Sequence, residues 1–331
     1  MPGKGIVLVS GGLDSLLAAR LLMEQGIELT GFHCILPFVP PDAEPSRLPA
    51  IRMAEQINLP TRTYRCGVDY IEMLRNPPHG YGTHINPCID CHIYFLKKAA
   101  ELMKEIQADF VATGEVVGQR PMSQMKHMLN HIEKASGLRG RLLRPLSAGL
   151  LKPTIPEMEG IVDRTRLLSI HGRSRTEQFR LAERFGIREY SSPAGGCLFT
   201  DRFFAGRVRD LFLYYDNIDM LDLYLCTIGR QYRISTNAKL IVGRNEDENV
   251  ELMKYREWAD YLFTPHFKGP TAVVKGVLDD AGLHCVGSIL AFYGRKDPCA
   301  KTVTMHRRGM DPVELHLPAE IESSRLDALR I

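Results

Sequence analysis

The sequence predicts an α/β protein in which a doubly wound parallel sheet is followed by a second, smaller α+β domain. Three observations lead there. Short apolar runs alternate with amphipathic runs through the first part of the 331-residue chain, the order that builds βαβ units. A glycine pair, Gly11-Gly12, stands between the first apolar run and the first amphipathic one. Beyond Ala205 the simple alternation gives way to strands and helices in mixed order.

The elements follow in turn. Gly5 to Val9 reads as a short buried strand, and Leu13 to Gln25 as a helix with Leu16, Leu17, Leu21 and Leu22 at helical spacing and Gly26 as its stop. The glycines let the backbone approach an anion. Ser10, Ser15 and the free N–H groups at the helix start are donors for phosphate oxygens, aided by the helix dipole, with Asp14 placed to hold a magnesium ion against them. No lysine follows the glycines, so this is not the GxxxxGK[ST] phosphate loop. Glu28 to Cys34 is the second strand, Ser46 to Ile57 the second helix and Thr61 to Arg65 the third strand. The second strand ends in Gly31-Phe32-His33-Cys34, where an adenosine rests in such folds; Phe32 is read either as its contact or, equally, as a core residue with His33 at the rim.

Asn76 to Asn86 reads as an irregular loop ending in Asn86-Pro87-Cys88-Ile89-Asp90-Cys91-His92, and from Ile93 to Ile106 the pattern is helical. The two cysteines therefore sit at a helix N-terminus, a place that lowers thiol pKa and favours the thiolate. Asp109 to Ala112 is a further strand, with Thr113-Gly114-Glu115 at its carboxyl end. A polar segment runs to Gly140, a helix is expected over Thr176 to Phe185, and Ser191 to Leu198 is a second glycine-containing loop that carries Cys197. The domain boundary is placed at 205/206. In the second domain Tyr232–Ile234, Lys239–Val242, Thr271–Lys275, Val303–Arg307 and Val313–Leu317 read as strands, and Asp247–Ala259 and Cys285–Tyr293 as helices. Its basic residues, among them Arg230, Arg233, Lys239, Arg244, Lys275, Arg295, Lys296, Arg307 and Arg308, suit a polyanion.

A net charge of +3 is too small to argue for nucleic acid by itself. The longest apolar runs are too short to span a bilayer, and no signal-peptide core follows Lys4, so a cytoplasmic protein without a membrane partner is expected. In a reducing compartment the eight cysteines are read by their surroundings. Cys34, Cys66, Cys226, Cys285 and Cys299 are read as structural. Cys88, Cys91 and Cys197 form the candidate chemical set, with three readings open. Three thiolates suit a 4Fe-4S cluster with one iron free. A persulfide on one cysteine resolved by another is the second, and a zinc site completed by His92 or His84 the third.

Four strings together resemble the PP-loop tRNA thiolases, a branch of the N-type ATP pyrophosphatases. They are SGGLDS (10–15), NPCIDC (86–91), ADFVATG (108–114) and PAGGCLFT (193–200), and their layout is most similar to the tRNA 2-thiouridylases. The resemblance spans residues 1 to about 200. It implies a PP-loop, Rossmann-like domain over 1–205 that adenylates a uridine carbonyl with ATP and replaces the AMP by sulfur. Ser10, Gly11, Gly12, Asp14 and Ser15 would bind ATP and Mg2+, Gly114 would shape the nucleotide pocket, and Cys88, Cys91 and Cys197 would hold the sulfur-transfer centre. Glu115 stands where the wobble-uridine enzymes commonly carry histidine. Residues 206–331, with Ile228-Gly229-Arg230 and Val242-Gly243-Arg244-Asn245, are similar to the small RNA-binding domain of the NFACT class, found joined to thiolation domains related to the 4-thiouridine synthases. The implied partners are tRNA and a sulfur donor, sulfide or a cysteine desulfurase, with a homodimer left open. The competing expectations are a PP-loop ligase or amidotransferase acting on a nucleobase precursor with a zinc site, and a non-catalytic RNA-binding protein.

Overall fold

The chain divides after Asp201 into two compact units, in a computed structural model that describes residues 3–191, 197–295 and 301–331. In the first unit the elements run β1 (Lys4–Leu8), α1 (Leu13–Met23), β2 (Glu28–Ile35), α2 (Pro49–Glu55), β3 (Thr61–Arg65), α3 (Val68–Arg75), α4 (Cys88–Glu105), β4 (Phe110–Ala112), α5 (Lys126–Ala135), β5 (Leu142–Leu143), α6 (Ile155–Met158) and α7 (Thr176–Arg184). The five strands form one sheet in the order β3-β2-β1-β4-β5, every pair parallel. The chain leaves β1 toward β2 and β3, then returns to β1's other side with β4. That reversal opens a crevice at the carboxyl ends of β1 and β4, where open α/β sheets bind ligands.

Both faces of the sheet are covered, which is why its strands read as apolar runs. Val7, Leu16, Leu17, Ala54, Phe110 and Leu181 pack on one side, and Ile6, Ile93, Leu96, Val111 and Ile132 on the other. The second helix starts later than its sequence suggests. Pro49 lacks an N–H and takes the first helical turn of α2, so Pro45–Arg47 forms a separate 3-10 turn. Helix α4 starts earlier, at Cys88, and the CxxC lies inside its first turn. Helix α3 occupies a stretch to which the sequence assigns no element, and α5 lies in the segment read only as polar; α5 buries only Leu129 and Ile132, too narrow an apolar stripe to stand out.

The second unit contains α8 (Arg202–Tyr214), α9 (Met220–Leu225), β6 (Arg230–Ser235), β7 (Ala238–Val242), α10 (Glu246–Lys254), β8 (Tyr261–Pro265), β9 (Ala272–Gly276), α11 (Asp280–Tyr293), β10 (Thr302–Arg307), β11 (Val313–His316) and α12 (Ser323–Leu329). Its sheet, ordered β11-β10-β8-β9-β7-β6, is antiparallel throughout. Polar caps set the starts of its helices. Asn245 accepts from Glu248 N at 3.0 Å and Asp279 from Gly282 N at 2.7 Å, so α10 and α11 begin at residues 246 and 280. Among the described residues no helix is long and apolar enough to cross a membrane.

Candidate active site

The turn after β1 is built for close approach. Gly11 has φ of 77°, a conformation that penalises a side chain, and a Cβ there would lie 3.1 Å from Ala50 Cα. Helix α1 starts without a side-chain cap. The two serines face each other across the turn: Ser15 Oγ donates to Gly12 O at 2.8 Å, and Gly12 N donates to Ser10 Oγ at 3.3 Å. Ser191 N donates to Gly11 O at 2.9 Å, bringing the start of the Cys197 loop onto the same turn. Residues 192–196 of that loop, including Gly195 and Gly196, lie outside the described residues.

Gly114, just past β4, closes the crevice. A Cβ on it would sit 2.4 Å from the carbonyl carbon of Asp14 and 2.5 Å from Ser15 N, so only glycine lets this loop rest on the start of α1. The next residue faces the other way. Glu115 Oε1 pairs with His92 Nδ1 at 2.8 Å, and Glu115 Oε2 accepts from Arg144 Nε at 2.9 Å. Arg144, at the end of β5, also reaches Glu133 at 3.2 Å and the Leu129 carbonyl at 3.1 Å. His92 lies one turn along α4 from Cys88 and hydrogen-bonds its thiol. A chain of alternating charge thus runs from the buried Arg144 and Glu115 through the half-buried His92 to Cys88.

The electrostatics follow from this chain. Burial alone would push the Cys88 thiol up, but the hydrogen bond and charge of His92, with Ser123 and Arg120, bring it below the usual thiol value. Burial likewise opposes a charged His92, yet Cys88 and Glu115 raise it to about 10. Glu115, buried beside Arg144 and His92, is held down to about 2. Cys91 behaves oppositely. Its Sγ lies 3.1 Å from the Tyr70 hydroxyl in the core, and burial raises its pKa in spite of the helix N-terminus. Burial also raises Cys197, although Arg120 acts against it.

The three cysteines therefore feel one another's charge, while Cys88 and Cys91 have separate side-chain partners. Cys88 points to His92 and to Ser123 Oγ at 3.4 Å, while Cys91 is turned to Tyr70. Among the described residues no three His, Cys, Asp or Glu side chains are arranged to hold a metal ion. Asp14, expected to hold a magnesium ion, stands in the first turn of α1. Its oxygens here accept from Gln119 Nε2 at 2.8 Å and Arg175 Nη2 at 3.1 Å.

Phe32, read either as an adenosine contact or as a core residue, is 4% exposed and packs with Ile89 and Ile93. His33 faces the strand ends: its Nδ1–H donates to Val9 O at 2.7 Å, and burial lowers its pKa. Cys66 and Cys226 are buried, as their apolar settings suggest, and Cys299 lies outside the described residues. In the second unit several of the basic residues are neutralised internally. Arg233 and Lys239 pair with Asp210, Lys275 with Asp222, Arg244 with Glu248 and Arg308 with Asp260. Arg307 lies over the Tyr261 ring, and Lys296 falls outside the described residues.

The cysteines separate by reactivity. In iodoacetamide at about pH 7, Cys88 is expected to be alkylated first and Cys66 and Cys91 last, because the thiolate is the nucleophile. His92→Gln removes the stabilising cation and should move the pH profile of Cys88 labelling upward. Peptide-resolved mass spectrometry reads both effects, and equal rates at Cys88 and Cys91 would contradict the geometry.

Residues 1–160 match the family described as thiamine biosynthesis protein (ThiI), and residues 229–317 match the NFACT protein RNA binding domain. A probable tRNA sulfurtransferase of Ureaplasma parvum serovar 3 is 29% identical over 155 residues, 44% of this chain and 37% of that protein. The tRNA-specific 2-thiouridylase MnmA of Desulfosudis oleivorans is 33% identical over 116 residues, 33% of this chain and 30% of that protein. A solved 4-thiouridine synthetase–RNA complex with bound ATP is 18% identical, covering 56% of this chain and 52% of that one at a TM-score of 0.34. The chain thus spans about a third of the length of the curated relatives it matches. Its first 160 residues are thus similar to the ThiI family, and residues 229–317 to the RNA-binding domain of the NFACT class.

Proposed function

We propose that this protein thiolates a uridine of tRNA, using ATP to activate the base carbonyl and a cysteine-borne sulfur to replace its oxygen. One observation carries the reading. Adjacent residues of a single loop touch both halves of the chemistry: Gly114 lies against the phosphate turn at Asp14 and Ser15, and Glu115 holds the His92 that pairs with Cys88. Activation and sulfur delivery then share one crevice.

A uridine carbonyl is a poor electrophile until its oxygen becomes a leaving group. Ser10, Gly11, Gly12 and Ser15 would cradle the triphosphate while the carbonyl oxygen attacks the α-phosphorus and pyrophosphate departs. Magnesium held by Asp14 and the phosphates would neutralise developing charge on the leaving group. The target base must be unstacked to reach Cys88, and the second domain would hold the tRNA for that purpose.

For sulfur delivery, a cluster on Cys88, Cys91 and Cys197 and a persulfide relay are the two schemes. The separate partners of Cys88 and Cys91 favour the relay. A persulfide on Cys88, loaded by a desulfurase, attacks the adenylated carbon with its terminal sulfur and AMP leaves. Cys197, which shares the charge of Arg120 with Cys88, then attacks Cys88 Sγ. That step frees the thionucleoside and forms a Cys88–Cys197 disulfide, which an external dithiol reduces.

The test is to incubate the protein with unmodified tRNA, ATP, magnesium, a cysteine desulfurase with cysteine, and dithiothreitol, then digest the tRNA and look for thionucleosides by mass spectrometry. Product is expected from the parent protein and none from Asp14→Ala. No product from the parent, or equal product from both, would refute the proposal. Iron analysis after anaerobic purification separates the two sulfur schemes.

A further inference from the structure

The contacts of Asp14 single out a side chain to which the phosphate turn itself gives no role. Arg175, 161 residues away and just before α7, donates from Nη2 to Asp14 Oδ1 at 3.1 Å. Gln119, 105 residues away, takes the other oxygen at 2.8 Å. Behind Gln119 lies Gln178, fully buried, whose amide nitrogen reaches Gln119 Oε1 at 3.2 Å. The arrangement is incomplete in one respect. Among the described residues neither the buried Nε of Arg175 nor the Oε1 of Gln178 has a hydrogen-bond partner. A buried donor without an acceptor is costly, and proteins seldom keep one unless another group completes it.

An anion would supply the missing acceptor. Arg175 presents the guanidinium fork that matches phosphate oxygens, with its Nε spare and only one Nη committed to a carboxylate. The Phe179 ring, one helical turn on, lies 5.8 Å from the guanidinium carbon and supports it from one side. The turn beside it, with its free helix start and paired serines, is where a polyphosphate would sit.

We propose that Arg175 is a polyphosphate-binding residue that exchanges Asp14 for the β and γ phosphates of ATP when the nucleotide enters. The exchange satisfies Nε and frees the Asp14 carboxylate for the magnesium ion that accompanies the phosphates. Without nucleotide the same pair keeps Asp14 neutralised, so the carboxylate does not repel the incoming anion. This inference rests on reading the turn as an ATP site, and its test needs neither tRNA nor sulfur.

Calorimetric titration of inorganic pyrophosphate, a non-hydrolysable ATP analogue and AMP, each in EDTA and in magnesium, decides it. In EDTA, Arg175→Ala should bind pyrophosphate and the analogue on the order of tenfold to a hundredfold more weakly, the scale of losing a charged hydrogen-bonding group. AMP, which lacks the contacted phosphates, should bind as before. Arg175→Lys should recover part of the loss. Asp14→Asn releases Arg175, so it should bind pyrophosphate at least as tightly as the parent in EDTA yet lose the tightening that magnesium brings. Unchanged pyrophosphate affinity in Arg175→Ala, an equal loss for AMP, or weaker pyrophosphate binding by Asp14→Asn in EDTA would each overturn the proposal and leave the ATP site standing. A parent protein that binds no nucleotide would instead overturn the ATP reading itself. If Arg175→Ala does not fold, Arg175→Lys and Asp14→Asn still decide the question.

Discussion

Cys88→Ser is expected to lower thionucleoside formation by on the order of a thousandfold or more, the scale on which removing a covalent nucleophile acts. It should leave tRNA-dependent ATP–pyrophosphate exchange near the parent rate. The split follows from the positions of the groups. The phosphate turn and Gly114 touch one another without using Cys88, whereas Cys88 is the thiol whose pKa its surroundings lower. Cys91→Ser is the internal comparison. Its sulfur is committed to Tyr70 in the core, so its loss should register mainly in stability. Mass spectrometry of digested tRNA and radiolabelled pyrophosphate exchange, run on the same preparations, separate the two steps. If Cys88→Ser blocked exchange and thiolation equally, Cys88 would belong to the adenylation machinery, and the relay proposed above would fall.

Arg144→Met should destabilise the first domain by about 3 kcal/mol, the low end of the cost of breaking a buried ion pair, because the Glu115 carboxylate then keeps only His92 of its two cationic partners. Arg144 and Glu115 side chains are 1% and 7% exposed, so water cannot replace the lost guanidinium. The double variant Arg144→Met/Glu115→Gln should recover much of that loss, because it removes the stranded charge as well. Urea denaturation reads both proteins, and a double variant no better than Arg144→Met would refute the mechanism. The pH dependence has a fixed sign. Glu115 is depressed from 4.5 to about 2, so its contribution is present above about 4.5 and is lost as pH falls toward 2. His92 is raised from 6.5 to about 10, so its contribution is complete below about 6.5 and is lost as pH rises toward 10. The two contributions are therefore both complete only between about pH 4.5 and 6.5.

Much of the site was legible along the chain. The run from β1 through Gly11-Gly12 to α1 is contiguous, and every constraint on it is local: a buried strand, a glycine at positive φ, and a helix start without a side-chain cap. Glycine at 114 was legible as a loop residue past a strand, and the CxxC as a helix start. What was not legible is the direction in which each thiol points. A helix N-terminus favours thiolate at both Cys88 and Cys91, yet burial against Tyr70 reverses the effect at Cys91, and no local pattern states which side of a first turn faces the core. The i, i+4 spacing of Cys88 and His92 was the available signal. It became meaningful only with α4 beginning at Cys88 instead of Ile93.

The second domain makes the same point with charge. Counted in sequence, its arginines and lysines describe a basic surface. In the fold Asp210 takes both Arg233 and Lys239, and Asp222 takes Lys275, so part of that charge serves the domain's own structure. Charge neutralisation depends on which acid lies across the sheet or under a helix, and composition carries no such information.

Alternating apolar runs and the glycine turn were enough to establish a parallel α/β domain with a glycine turn between its first strand and first helix. Strand order was not among the things they could establish, since alternation says that parallel strands pair but not with which neighbour. Placing β4 beside β1 and β5 beside β4 sets Gly114 on Asp14 and Arg144 on Glu115. Only the packed fold, in which burial makes each unpaired charge expensive, decides that Cys88 is the thiol whose surroundings lower its pKa and that Asp14 is held by Arg175.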